Sequence, residues 1–334
     1  MLTAVNEDVV DNRYQKVSLG QINFEDGLTD FSMGPIPGEL ETSIREIGIT
    51  HPVTLTPNGG GRYRLICGHR RARIASRLGF GEIPAVVWEP APDRETMLAT
   101  NIAENLAHRR YTDVEKGRIL SRLLSAGVTE EQILEKYMPK VGLEKSKKLF
   151  RQYLEVTGLS AGFQKLLHDL NVSLRVWTIL CRWDTASRNV AEVFFGVLRP
   201  GINKWRDLLE LLDETAQRDG CTPADLLGRE DLLGILNLPN LSPQDKYDRI
   251  AETLRSRRYP VLTDLTRKVA RLLDEMKLHP ATIVRTSQTF ETGELRIELK
   301  FRTRDELLAQ MEKLGPAAQS DAMRELIDLY RNMD

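Results

Sequence analysis

Hydrophobic positions change period several times along the chain, and each change marks an element. Residues 1–30 are polar with neither helical nor strand period, and read as a flexible arm. Residues 36–110 alternate short strands with helices. A helix is predicted from Gly38 to Glu46, stopping at Gly48. Pro52–Thr56 reads as a strand, Asn58–Gly61 as a turn and Tyr63–Cys67 as a second strand. Gly68 ends that strand and opens a helix to about Leu78. Ile83–Trp88 is a third strand, and a long helix follows Asp93, a plausible N-cap with Thr96 close behind.

From about Thr112 to Tyr259 the pattern is helical throughout, punctuated by Gly127, Gly142, Gly158, Gly201 and Gly220. Thr129–Tyr137 is a short helix opened by a capping threonine. Met138–Leu143 turns the chain, and the next helix is predicted from Glu144 to about Val156. Its inward face is Leu149, Phe150, Tyr153 and Leu154; its outward face carries Lys145, Ser146, Lys147, Lys148, Arg151 and Gln152. Asn237–Pro243 reads as a linker or sharp corner. Beyond it, Leu265, Val269, Leu272, Leu273 and Met276 share a helical face. Thr282–Phe290 reads as a strand and Glu291–Glu294 as a hairpin turn. Leu295, Ile297, Leu299 and Phe301 then alternate with charged residues, a period-2 strand with one buried face. Two amphipathic helices close the sequence.

Composition narrows the class. A chain of 334 residues holds two or three domains, and 41% hydrophobic with 28% charged residues is ordinary for a globular protein. No apolar run approaches the roughly 20 residues of a membrane helix, and the acidic, polar N-terminus does not read as a secretory leader. Cys67, Cys181 and Cys221 lack metal-ligand spacing, which fits a reducing cytosol. Net charge is −1, yet residues 62–77 carry six arginines and no acid, and residues 136–151 carry five lysines and one arginine against Glu144 alone. Two basic islands in a neutral chain suit local recognition of phosphates; the plain alternative is two solvated faces.

Three motifs carry candidate chemistry. Gly68-His69-Arg70-Arg71 follows a strand and opens a helix, where free backbone N–H groups and two guanidiniums suit a polyphosphate. Glu104-Asn105 supplies hard oxygens of the kind that hold Mg²⁺ beside phosphates, and His108, Arg109 and Arg110 one turn later could reach the same phosphates; alone, the pair is more often a solvated face. The Thr129–Val156 segment reads as a helix-turn-helix with a basic second helix, or as an ordinary helical hairpin. Nucleophile motifs, a zinc-protease helix motif and a phosphate-binding lysine loop are absent from the sequence. Cys67, Trp177, Trp183 and Trp205 are expected in the core.

Taken in order, these residues resemble the ParB family of DNA-partition proteins. Pro37–Val53 is similar to the family's opening helix and first strand, Tyr63–Arg71 to its strand and arginine box, Ile83–Val87 to its next strand. Glu104-Asn105 with Glu115 is similar to its Glu-Asn box, Val172–Arg175 to the segment after its helix-turn-helix, and Gly293–Leu314 to its C-terminal dimerisation unit. The resemblance implies an α+β multi-domain chain. A small α/β ParB/sulfiredoxin-like nucleotide domain would span residues 31–110, a helical DNA-binding domain 111–236, a linker and helix 237–262, and an α/β dimerisation domain 263–334. It implies a homodimer that binds palindromic double-stranded DNA, takes CTP and Mg²⁺, closes as a sliding clamp, and works with a ParA-type ATPase in the cytoplasm at the nucleoid. Gly68, His69, Arg70 and Arg71 would hold phosphates, with His108 and Arg109 in reach. Thr50, His51 and Pro52 would lie near the base, and Glu104 and Asn105 would hold Mg²⁺. DNA contacts would come from Thr129, Lys145, Ser146, Lys147, Lys148, Arg151 and Gln152. Two departures stand out: His69 occupies the place of a frequent glutamate tied to CTP hydrolysis, and His108 that of a frequent arginine. Nucleotide binding is therefore expected more firmly than turnover. A transcriptional regulator of the same fold, or a ParB/sulfiredoxin-fold kinase or nuclease, are the alternatives.

Overall fold

The computed structural model describes residues 11–286 and 295–331. Two compact units emerge, one of residues up to Glu210 with Pro223–Gly228, the other of Leu211–Thr222 with the chain from Arg229 onward.

The first unit opens with β1 (Asp11–Ser18), β2 (Ile22–Asn23), α1 (Gly38–Ile47), β3 (Val53–Pro57), β4 (Tyr63–Cys67), α2 (His69–Arg77), β5 (Glu82–Glu89) and α3 (Arg94–Leu106). The strands form one mixed sheet in the order β1-β5-β3-β4-β2. β1 lies antiparallel to β5 with Tyr14 opposite Val86, and β3 runs parallel to β5 with Thr54 opposite Val86. Residues 11–23, expected as part of a flexible arm, are therefore strand and edge. Arg13, Tyr14, Gln15 and Lys16 are exposed ahead of buried Val17, so no alternation marks this stretch in sequence. Its backbone pairing with β5 holds it instead. The sheet's core is Val53, Leu55, Leu65, Ile83, Ala85 and Val87, packed by Ala72 and Ala75 of α2. β5 alternates as read, with Ile83, Ala85 and Val87 inward.

The helical part of this unit begins with α4 (Asp113–Ser125), capped by Thr112 and Glu115 in a reciprocal box. α5 (Glu130–Gln132) is capped in the same way by Thr129 and Gln132, and continues as a wider helical turn over Ile133–Tyr137. α6 runs Lys147–Leu154. The helix expected from Glu144 thus starts three residues later, because Ser146 is its N-cap, accepting from the Leu149 N–H. Phe150 and Tyr153 are buried as expected, and Leu149 and Leu154 are half-buried. α7 (Ala161–Asp169), α8 (Leu174–Arg182), α9 (Thr185–Leu198), α10 (Ile202–Asp219, counted with the second unit from Leu211) and α11 (Pro223–Leu227) follow. Trp177, Trp183 and Trp205 are buried, Trp177 edge-on to Tyr153 at 6.4 Å.

The second unit contains α12 (Glu230–Asn237), α13 (Pro243–Arg258), α14 (Pro260–Glu275), β6 (Thr282–Arg285), β7 (Arg296–Leu299), α15 (Arg304–Ala318) and α16 (Asp321–Arg331). Val269, Leu272 and Met276 pack against Met323, Leu326 and Tyr330. β6 and β7 pair antiparallel, Val284 opposite Ile297. Buried Gln310 ties α15 to this hairpin, accepting from Thr282 Oγ1 (3.1 Å) and donating to Lys300 O (2.8 Å). Among the described residues the strand face expected to be buried is only partly covered: Leu295 packs against this core and Leu299 is half-buried, while Ile297 and Phe301 are 44% and 50% exposed. The expected hairpin turn at Glu291–Glu294, and the strand beyond residue 286, lie outside the described residues. Among the described residues no helix is long and apolar enough to cross a membrane.

Candidate functional site

The junction of β4 and α2 sets the geometry. Gly68 caps α2 in the left-handed region, φ +91°. A Cβ there would sit 2.7 Å from Val53 Cγ1, so both the conformation and the space require glycine. The sharp turn delivers His69, Arg70 and Arg71 to one wall of a cavity of about 470 Å³. α3 lines it with Asn101, Glu104 and Asn105, the turn after α3 with His108 and Arg109, and the segment before β3 with His51.

Neighbouring cations have distinct partners. Arg71 donates to the carbonyls of His51 (2.5 Å) and Pro52 (3.1 Å) and pairs with Glu104 at 2.9 Å. It braces the segment before β3 against α3. Arg109 pairs with both oxygens of buried Glu115 at 2.9 Å and donates to Ser32 Oγ at 2.9 Å. Arg70 differs. It makes no ion pair among the described residues, and its Nε is buried without a hydrogen-bond partner. Burial holds its guanidinium below the usual range, and the Arg109 charge lowers it further. A half-buried cation facing another cation, with an unmet donor, is a local arrangement that an anion would relieve.

His69 is turned into the protein. Its Nε2 lies 3.4 Å from Thr29 Oγ1, and that hydroxyl donates to Leu65 O at 2.7 Å. Burial pushes the imidazole down to about 4, partly opposed by Asp30, so it is neutral near pH 7. Cys67 is buried and its thiol is pushed far up by burial and then by Glu104, which makes it an inert core residue.

Glu104 and Asn105 face the cavity. Glu104 Oε1 accepts from Arg71, while the Asn105 amide nitrogen donates to Asn101 O and Oδ1 at 2.9 Å, leaving its Oδ1 3.4 Å from Arg109 Nε. Such a pair fits Mg²⁺ as part of a shell, with phosphate oxygens and water as the remaining ligands. Among the described residues no group of three or more His, Cys, Asp or Glu side chains could hold a metal by itself.

The cavity therefore gathers His51, Gly68, His69, Arg70, Arg71, Glu104, Asn105, His108 and Arg109. Thr50 and Pro52 stand outside its lining: Thr50 Oγ1 lies 3.1 Å from His51 Nδ1, and Pro52 contributes its carbonyl to Arg71. Sequence reading missed Thr29, Asp30, Ser32, Leu40 and Asn101. Asn101 lies on α3 one turn before Glu104-Asn105 and donates to Ile66 O at 2.7 Å, locking α3 to β4. Residues 29–32 carry no local signal; they reach the cavity because Arg122 of α4 donates to the carbonyls of Leu28 (3.1 Å) and Asp30 (2.8 Å).

On α6, Lys147, Lys148 and Arg151 are exposed and pair with no carboxylate among the described residues, while Gln152 is half-buried. Lys145 lies before the helix and pairs with Glu135. Ser146 and Thr129 use their hydroxyls as caps. α6 is fixed from behind: Tyr153 donates to Asp113 Oδ1 at 2.8 Å, and Gly117 of α4 lies so close to Val156 and the Tyr153 carbonyl that a Cβ would clash.

A sequence model of the ParB N-terminal domain family matches residues 4–106. The chain is 41% identical over 95 residues to the chromosome-partitioning protein Spo0J of Thermus thermophilus, covering 28% of this chain and 34% of that protein. It is 32% identical over 137 residues to a probable chromosome-partitioning protein ParB of Neisseria meningitidis, covering 41% and 45%. The matched stretch thus spans less than half the length of these relatives. Among solved structures, a C-terminally truncated chromosome-partitioning protein ParB from Caulobacter crescentus complexed with CTP-γ-S is similar at 20% identity, covering 51% of this chain and 92% of that one, with a TM-score of 0.25.

Proposed function

We propose, from the match of residues 4–106 to the model of the ParB N-terminal domain family, that the whole chain is a DNA-partition protein that couples a CTP site to a DNA-reading helix. The observation that carries the nucleotide half is Arg70, a cation in a cavity with no ion pair among the described residues and an unmet donor. A triphosphate supplies what it lacks. In this reading Arg70 and the turn at Gly68 hold the phosphates, Arg71 and His51 shape the end toward the base, and Glu104 with Asn105 complete the shell of a Mg²⁺ ion. His108 and Arg109 stand in reach. The metal would offset phosphate charge; the protein's own part is to orient the chain of phosphates against α3.

The DNA half is carried by α6, with Lys147, Lys148 and Arg151 outward on a helix whose other face is packed. Lysines on such a face suit phosphates, and Arg151 with Gln152 suits base edges. A two-fold dimer through the second unit would present two such helices to a palindrome. Partition with a ParA-type ATPase, clamp formation and nucleoid association extend this reading from its relatives' names and the resemblance. With His69 neutral and turned onto Thr29, no carboxylate stands at that place, so turnover of CTP is expected to be slow.

The test is a calorimetric titration of CTP with Mg²⁺ into the full chain and into Arg70→Ala. Losing one charge-assisted contact costs on the order of 2–3 kcal/mol, so affinity should fall about 30–150-fold. Equal affinities would remove the site from this cavity.

A further inference from the structure

A second cationic cavity, of about 570 Å³, opens where α3 meets α4 and the turn before α6. Arg109, Arg110, Lys116 and Lys140 line it, and no acidic residue does. Two of the four are paired: Arg109 with Glu115, and Lys116 with Asp113 at 3.1 Å. Arg110 and Lys140 are exposed and pair with no carboxylate among the described residues. Lys140 stands only over the Tyr137 ring, 5.6 Å from its centroid. Arg110, which its place after α3 would send to the nucleotide phosphates, lines this cavity and not the one holding Arg70.

We infer that this cavity is a second contact for the phosphate backbone of duplex DNA, made by Arg110 and Lys140. Converging cations without a counter-charge repel one another, and a polyanion relieves that repulsion. A small anion is the poorer fit, because such ligands need backbone N–H groups turned outward. Here the N–H groups of Val141, Gly142 and Leu143 are all taken, by the carbonyls of Tyr137, Pro139 and Met138. What the turn itself offers is therefore the long Lys140 side chain, which suits phosphates approached from outside. The turn also leads straight into Ser146 and α6, so the chain carries Lys140 and the outward lysines on consecutive elements. The inference rests on the DNA reading of α6 and adds a sequence-independent grip beside it.

The experiment is binding of a random-sequence duplex to the full chain across a salt series. Each phosphate neutralised contributes about 0.9 to the slope of log K against log salt. Arg110→Gln with Lys140→Gln should therefore lower the slope by about 2, and Arg110→Lys should restore about half of that loss. A control that removes two cations elsewhere, Lys16→Gln with Arg94→Gln, should leave the slope unchanged. CTP affinity should be the same in all three. A slope unchanged in the Arg110/Lys140 variant, while Lys148→Ala lowers it, overturns the second contact and leaves the α6 reading standing. No duplex binding by any form, wild type included, overturns both. A drop of equal size in the Lys16/Arg94 control overturns it too, since net charge alone would then explain the effect.

Discussion

At the residue scale, the cavity around Arg70 was legible where chemistry follows local order and hidden where it follows the fold. A strand, a glycine and two arginines at a helix start mark its position by themselves. The division of labour does not show in sequence. Arg70 is left without an ion pair and Arg71 is a brace, because His51, Pro52 and Glu104 arrive from three other elements. His69 yields a second consequence. Burial holds its pKa near 4, below the ordinary value of about 6.5. The unfolded chain therefore takes up that proton first as pH falls. The stability from keeping His69 neutral is whole above about pH 6.5 and is lost progressively down to about pH 4, on the order of 3 kcal/mol in all. Urea melts at pH 7 and pH 4.5 should show wild type losing more stability than His69→Gln. An equal loss in both would mean that the imidazole is not held neutral by burial.

At the element scale, helices and inner strands were readable because one face of each is buried. β5 alternates cleanly, and α6 keeps Phe150 and Tyr153 inside. β1 was not readable, since its exposed run Arg13–Lys16 ahead of buried Val17 has no apolar period and the strand is held by pairing. The start of α6 was misplaced because Ser146, one polar residue among several, serves as its cap. The close approach of α4 to α6 leaves one sequence trace, Gly117, whose meaning needs the packing. Gly117→Ala would press on Val156 and the Tyr153 carbonyl. Overpacking of this kind costs about 1–3 kcal/mol, which chemical denaturation would read directly. A variant as stable as wild type would show that the two helices have room to part.

At the scale of the whole molecule, Ile297 stands half-exposed on a two-stranded sheet, a form that is marginal alone, and Phe301 stands half-exposed just beyond it. Pairing two such faces across a two-fold would cover both. Removing the chain after Met276 should turn a dimer into a monomer by light scattering; an unchanged dimer would move the assembly interface elsewhere. The central claim is that α6 reads DNA. It is tested most directly by measuring binding of the full chain to a selected site and to random duplex across salt, for Lys148→Ala, Arg151→Ala and the pair. Lys148→Ala should weaken binding to both duplexes and lower the salt slope by about 1. Arg151→Ala should cost roughly 1–3 kcal/mol on the selected site alone. If the double substitution left both affinities intact, α6 would be a solvated hairpin helix and the account would be wrong.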